Sequence, residues 1–277
     1  MSRDHLSSVV YPRHGPRQDS LLIYAVQLLE LACAKSGRHY ELSQARDEMT
    51  QARSLIELAR PEPPMDLFWT MTDRERERRL LPVRFPLERG LLGWRLPLVR
   101  RADQERFAGV KRLRDMAAFD AVQMHDWPDT AILRANGLPV QTSTQYEALF
   151  SMLARGRVDY FPRSLLEIAS EAEQRPELDL VVEPRLLLYY RAPLYFFVSP
   201  SRPRLAADIA NGLQAAVADG SFERLFRQHF AALIERHRAA TRTVLHLLNP
   251  ELSAETAAAW ATLWATPAQL PSAAQGR

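Results

Sequence analysis

Hydrophobic positions along this chain fall into short apolar runs that alternate with longer stretches of helical spacing. The pattern is clearest between Phe119 and Ile168. Phe119–Met124 is short and largely apolar, which predicts a buried strand. Asp126 or Asp129 can cap the helix that follows, and Pro128 suits its first turn. Ile132 and Leu133 give that helix its inner face, and Asn136-Gly137 supplies a left-handed stop. A second strand starts at Val140. Thr144 can cap a second helix, whose Tyr146, Leu149, Phe150 and Leu153 share a face. Gly156 ends it, and Val158–Phe161 predicts a third strand. This β-α-β-α-β order predicts parallel strands with right-handed crossovers. Open sheets of that kind bind ligands at the carboxyl ends of their strands. Here those ends are His125-Asp126, Ser143-Thr144 and Pro162-Arg163-Ser164.

Residues 8–69 show the same order of elements without any visible repeat of sequence. A strand is predicted at Ser8–Tyr11, then a loop through Pro12-Arg13-His14-Gly15-Pro16. Asp19 or Ser20 caps a long helix that runs to Lys35 and closes at Gly37. A strand at Tyr40–Leu42, a helix at Met49–Ala59, a turn at Pro61–Pro64 and a strand at Met65–Trp69 complete the unit. Extended runs at Leu80–Phe85 and Arg95–Val99 flank a break at Gly90–Trp94. Two more follow the second unit, at Leu180–Tyr190 and Pro193–Val198. Helices are predicted at Leu205–Ala218 and from Phe222 to about Ala239, then a short helix and a small, polar tail, disordered from about Pro267. The fold class this grammar predicts is α/β with two lobes, each a mostly parallel sheet flanked by helices. Residues 1–91 and 192–277 form the first lobe and 92–191 the second. Two crossing segments predict a hinge, and a hinge beside a cleft permits closure on a ligand.

Composition adds mainly exclusions. The chain has 277 residues, 47% hydrophobic and 25% charged, as an ordinary folded protein does. Its formal charge of +3 comes almost wholly from arginine, Lys35 and Lys111 being the only lysines. A nucleic-acid surface would want a basic stripe with interleaved aromatics. Here the arginines alternate with acids, as in Asp73-Arg74-Glu75-Arg76-Glu77-Arg78-Arg79, so no nucleic-acid partner is expected. The single cysteine, Cys33, sits in the apolar helix LLELACAK and reads as a small core residue. It excludes an intrachain disulfide and a cysteine metal cluster. No run nears the ~18 apolar residues of a membrane span, so no membrane insertion is expected. The N-terminus lacks a leader's apolar region, which fits either a cytoplasmic protein or a mature form with its leader removed.

Catalytic signals are sparse. The seven histidines show no metal-binding spacing, and no nucleophile elbow, Walker or dinucleotide motif is present. His125-Asp126 is the one His-carboxylate neighbour at a predicted strand end, and adjacent loop residues rarely make a working dyad. No catalytic residue, metal or cofactor is expected.

Four stretches carry a resemblance to a known family. They are DLFWTMTDRERERRLLPVRFPL before and through Leu87, VQMHDWPDTAILRANG at Val122–Gly137, YEALFSMLARGRVDY at Tyr146–Tyr160, and ADGSFERLFRQHF at Ala218–Phe230. In order and spacing they resemble the type 2 periplasmic-binding-protein family, in particular the solute-binding proteins of amino-acid ABC importers. The resemblance spans about residues 8–235. It implies that a threonine and an arginine after the third strand hold a ligand carboxylate. Thr72 and Arg76 match best, near Trp69 and Thr70 at the strand end. A guanidinium fork suits a carboxylate, although Arg74, Arg76, Arg78 and Arg79 also read as a solvated helix with internal charge pairs. In the second lobe the resemblance points to His125, Asp126 and Trp127, to Ser143 and Thr144, and to the strand end at Arg163. The family's acidic partner for a ligand ammonium is missing there. Arg163 stands in that region, which favours an anionic ligand or a cleft with no small ligand. Tyr11 and Arg13 add an aromatic and a cation to the first lobe, and Tyr11 reads equally as core.

The expected function is therefore a monomeric, periplasmic solute-binding protein. It would close on a small polar, anionic or amino-acid-like molecule and be read by a permease or a sensor kinase. The alternatives are a sensing or partner-binding domain with a degenerate cleft, and, less favoured, an enzyme on the same frame.

Overall fold

The computed structural model describes residues 7–13 and 20–259. The expected loop at 14–16, the Asp19 cap and the tail from Pro267 lie outside the described residues. The chain divides into two compact units.

The first unit opens with β1 (Ser7–Arg13), α1 (Ser20–Lys35), β2 (Tyr40–Glu48), α2 (Gln51–Leu58), β3 (Leu67–Met71), α3 (Arg74–Arg79) and β4 (Leu81–Val83). β1 and β2 pair in parallel, as the β-α-β reading requires. β2 is longer than Tyr40–Leu42 because its polar second half lies at the exposed side of the pair, where only Ala45 is buried. Thr50 caps α2 by accepting from the Arg53 N–H at 3.4 Å. Asp73 caps α3 by accepting from the Arg76 N–H at 2.8 Å.

The second unit begins at Gly90. A single 3-10 turn at Leu91–Gly93 leads into β5 (Trp94–Arg100), and two further 3-10 segments, Arg101–Phe107 and Leu113–Ala118, follow it. Next come β6 (Ala121–Met124), α4 (Pro128–Ala135), β7 (Val140–Ser143), α5 (Tyr146–Ala154), β8 (Phe161–Ser164), α6 (Ile168–Glu173), β9 (Leu180–Val182) and β10 (Leu186–Tyr189). Gly93 lies so near the Tyr190 carbonyl that a Cβ would sit 1.9 Å from its oxygen, so no side chain fits there. α4 carries Pro128 in its first turn and stops at Gly137, whose φ of 75° is the left-handed conformation glycine allows. Neither Asp126 nor Thr144 caps a helix: Trp127 and Gln145 hold the cap positions, without side-chain capping bonds.

β6 and β7 are parallel, and a parallel bridge joins Ala121 to Tyr160. β8, however, runs antiparallel to β5, the buried centre of a sheet ordered β12-β10-β5-β8, with β9 also on β5. The third strand of the predicted β-α-β-α-β unit is thus displaced toward Arg163. The extended run at Leu180–Tyr190 is two strands. They are split where Glu183, fully buried, accepts from the backbone N–H groups of Arg185 and Leu186 at 2.7 and 2.6 Å.

The chain re-enters the first unit at Pro193 with β11 (Leu194–Val198), α7 (Pro203–Ala218) and α8 (Ser221–Arg236). β11 is buried along its whole length between β3 and β4, antiparallel to both. Tyr195 and Phe197 join Leu58, Met65, Phe68 and Leu80 in the core of this unit. Cys33 is buried on α1.

The division into units differs from the expected segments. The boundary falls inside α8, and residues Ala232–Glu251 belong to the second unit. There β12 (Thr243–His246), a strand the apolar pattern does not predict, pairs in parallel with β10. Asn136 at the end of α4 clasps the Leu248 backbone on both sides, donating to its oxygen at 2.7 Å and accepting from its N–H at 2.9 Å. α9 (Ala254–Ala259) then returns to the first unit. Among the described residues, no helix is long and apolar enough to cross a membrane, and no group of three or more His, Cys, Asp or Glu is placed to hold a metal ion.

Candidate functional site

In the first unit two contacts lie near the end of β3, Tyr11 with Trp69 and Arg76 with Thr70. Trp69 and Thr70, as successive strand residues, turn to opposite faces. The Tyr11 and Trp69 rings are 6.4 Å apart, and Trp69 meets Phe196 edge-on at 6.2 Å. The Thr70 hydroxyl donates to Gln51 at 3.0 Å. α3 starts right after β3, and its Asp73 cap turns the first helical residues back over the strand. Arg76 follows that turn. Its Nη1 donates to Thr70 Oγ1 at 3.2 Å and to the Met71 carbonyl, and its Nε lies 2.9 Å from Asp73. The other arginines of the run are committed elsewhere or exposed. Arg74 donates to the Leu252 carbonyl at 3.1 Å, Arg78 pairs with Glu75 at 74% exposure, and Arg79 is exposed. Of the four arginines the sequence left open, Arg76 is the one drawn against the strand.

Thr72 does not join this group. It is fully buried and donates to Glu77 at 2.6 Å. The same carboxylate accepts from Thr256 at 2.6 Å, from Ser253 at 2.8 Å and from Arg84 at 2.8 Å. Burial pushes the Glu77 pKa up, but these donors outweigh it and leave it below the ordinary value. Thr72 thus shares Glu77 with the segment at 253–256, which corrects its expected place beside a ligand. Arg13 is exposed at the end of β1, where its Nε donates to the Ala45 carbonyl at 2.9 Å.

In the second unit, His125 and Asp126 are both exposed, with 3.9 Å between Nδ1 and a carboxylate oxygen. The His125 N–H donates to the Ser143 carbonyl at 3.1 Å, so the ends of β6 and β7 meet. Ser143 Oγ accepts from the Gln145 N–H at 3.1 Å, and Thr144 is exposed. Trp127 leaves that group and packs over Arg163, its ring 4.8 Å from the guanidinium.

Arg163 was expected to offer a cation to a ligand, and the structure places it otherwise. Its side chain is 4% exposed. Nε and Nη2 donate to the two oxygens of Glu171 at 2.7 and 2.6 Å, and Nη2 lies 3.0 Å from Glu167. Tyr146 donates to Glu171 as well. Burial works against the charge on Arg163, but Glu167 and Glu171 outweigh it and hold its pKa well above the ordinary value. The guanidinium is already bonded to carboxylates of its own chain.

A second buried pair lies in the same unit. Arg95 Nη2 is 2.7 Å from Asp129, which also accepts from Tyr190. Arg95 Nη1 lies 3.9 Å from Glu167, whose side chain is 29% exposed. Sequence reasoning missed Glu167, Glu171 and Arg95. The available signal was the four-residue spacing of Arg163, Glu167 and Glu171, although Arg163 lies in β8 and only Glu171 in α6.

No family model and no curated protein matches this sequence. Solved structures do resemble it. An ancestral arginine-binding protein bound to glutamine is 16% identical with a TM-score of 0.58, over 83% of this chain and 99% of that one. The probable amino-acid ABC transporter extracellular-binding protein YtmK from Bacillus subtilis is 16% identical with a TM-score of 0.57, over 81% and 99%. The glutamate-bound ligand-binding core of GluR0 from Nostoc punctiforme is 14% identical with a TM-score of 0.51, over 81% and 99%. The fold is the two-lobed α/β fold of the type 2 periplasmic binding proteins, which solute-binding proteins of amino-acid ABC transporters share.

Proposed function

We propose that this chain is the solute-binding component of an ABC-type importer, working by binding and not by catalysis. Its ligand is a small, polar, amino-acid-like molecule. One observation carries the reading: of four candidate arginines, Arg76 is folded back over the end of β3, beside Thr70. That pair combines a cation and a hydroxyl at a strand terminus, the chemistry that orients a carboxylate on a small molecule. In the second unit, His125, Asp126, Ser143 and Thr144 form a polar group of their own at the ends of β6 and β7. A periplasmic location, a permease partner and a monomeric state belong to this reading.

Thermal shift and calorimetry against amino acids, simple carboxylates and phosphorylated compounds test it. A true ligand stabilises the protein by ~2.7 kcal/mol at a hundredfold excess over its dissociation constant. Arg76→Ala should weaken that ligand by about 1.5–3 kcal/mol, the range of a hydrogen bond to a charged group. If the folded protein shifts with none of the three classes, the solute-binding reading is wrong.

A second reading is a sensing or partner-binding domain that has given up its small ligand. It is favoured by Arg163, whose fork is filled from within. Its signature is a stable protein partner, a sensor kinase among them, captured in the absence of any solute.

A further inference from the structure

The end of β8 holds a complete receptor for a carboxylate, with the carboxylate built in. Arg163 presents the Nε–Nη2 edge of its guanidinium, and Glu171 meets it with both oxygens. Planar aromatic groups surround the cation: Trp127 at 4.8 Å, Phe161 at 5.0 Å and Tyr146 at 5.9 Å. Tyr146 adds a hydroxyl to the same carboxylate. A packing role alone asks only for a charge partner. Here the fork-to-fork geometry and the extra donor address Glu171, while Glu167 is a second carboxylate 3.0 Å from Nη2 alone. Glu171 reaches the fork because α6, a single short helix after β8, brings it eight residues along the chain from Arg163.

We propose that Glu171 is a resident occupant of an anion site made by Arg163, Tyr146 and Trp127. With Glu171 in place, the second unit excludes carboxylates and other small anions from the end of β8. The proposal concerns this unit alone and stands whether or not the solute-binding reading holds.

Chemical rescue tests it. The probes are acetate, its neutral isostere acetamide, and chloride at matched ionic strength. The readout is the folded-to-unfolded ratio from urea titrations followed by circular dichroism. The wild-type protein should respond equally to acetate and chloride. Glu171→Ala should be stabilised saturably by acetate, its folding constant rising about tenfold at ten times the acetate dissociation constant. Acetamide should give no such gain, and the double variant Arg163→Met/Glu171→Ala should not respond. Should Glu171→Ala be unfolded in buffer, refolding in acetate supports the proposal. Remaining unfolded at every acetate concentration overturns it. Equal rescue by acetamide also overturns it, since the site would then be a cavity and not an anion receptor. So would an acetate effect on the wild-type protein that Arg163→Met removes.

Discussion

Arg76 stands in the helix that follows β3 and Arg163 in the last half of β8, and their surroundings differ in kind. Arg76 meets Asp73 at one nitrogen and two neutral acceptors, the Thr70 hydroxyl and the Met71 carbonyl, at another. Arg163 meets two carboxylates and sits among three aromatic rings. Both cations are ion-paired, Arg76 through Nε to Asp73 and Arg163 through its Nε–Nη2 edge to Glu171. A guanidinium edge matched to a bidentate carboxylate has lost the capacity to take a second one there, whatever its position in the fold. Counting arginines at strand ends is therefore no guide to ligand charge until their partners are known.

The largest test of this contrast is Arg163→Met. It strands Glu171 and Glu167 beside an apolar side chain and should cost about 3–5 kcal/mol in urea unfolding, the range for breaking a buried pair. Adding Glu171→Leu should return most of that loss, because an apolar replacement of both partners is often neutral. Arg76→Met should cost markedly less than Arg163→Met. Equal costs would erase the distinction between the two arginines.

Acid sharpens the comparison next. In the second unit His237 is buried, its Nε2 has no hydrogen-bond partner, and burial lowers its pKa to about 4. The unfolded chain then binds a proton near pH 6.5 that the folded chain refuses. Stability is complete above about pH 6.5 and falls as pH drops toward about 4, by roughly 3 kcal/mol in all. Glu171, whose pKa Arg163 holds down against the opposing effect of burial, adds a loss in the same direction at lower pH. Urea midpoints measured from pH 7 to 4 should decline, and His237→Gln should flatten the upper part of that decline. A profile unchanged by His237→Gln would refute the buried neutral imidazole.

The smallest effect belongs to Arg78, at the surface of α3 and paired with Glu75 three residues away. Arg78→Ala should change stability by less than about 0.5 kcal/mol and leave ligand binding untouched. A loss of affinity as large as that of Arg76→Ala would mean that the wrong arginine has been chosen.

Much of the scaffold was readable from residue pattern. The helices α1, α4, α5, α7 and α8 follow their apolar faces and glycine stops, and the parallel pair β6–β7 follows from strand–helix alternation. What escaped was non-local. β12 is a four-residue strand whose place depends on β10, more than fifty residues earlier. The split between β9 and β10 depends on Glu183 turning inward to backbone N–H groups. Arg163 was misjudged for the same reason. Its partners lie on and just before α6, a six-residue helix too short to show an amphipathic pattern. The arginine run at 74–79 could be read as a helix, but only the Asp73 cap decides which of its members turns inward.

The path of the chain has a practical corollary for anyone dissecting this protein. Residues 232–251 supply β12 to the sheet that residues 90–192 build, and Asn136 grips the stretch that follows it. Neither half can be cloned as one uninterrupted reading frame. A fragment spanning only 90–192 would expose the flank of β10 and invite self-association, so separate expression calls for a permuted gene that splices 232–251 onto the shorter piece.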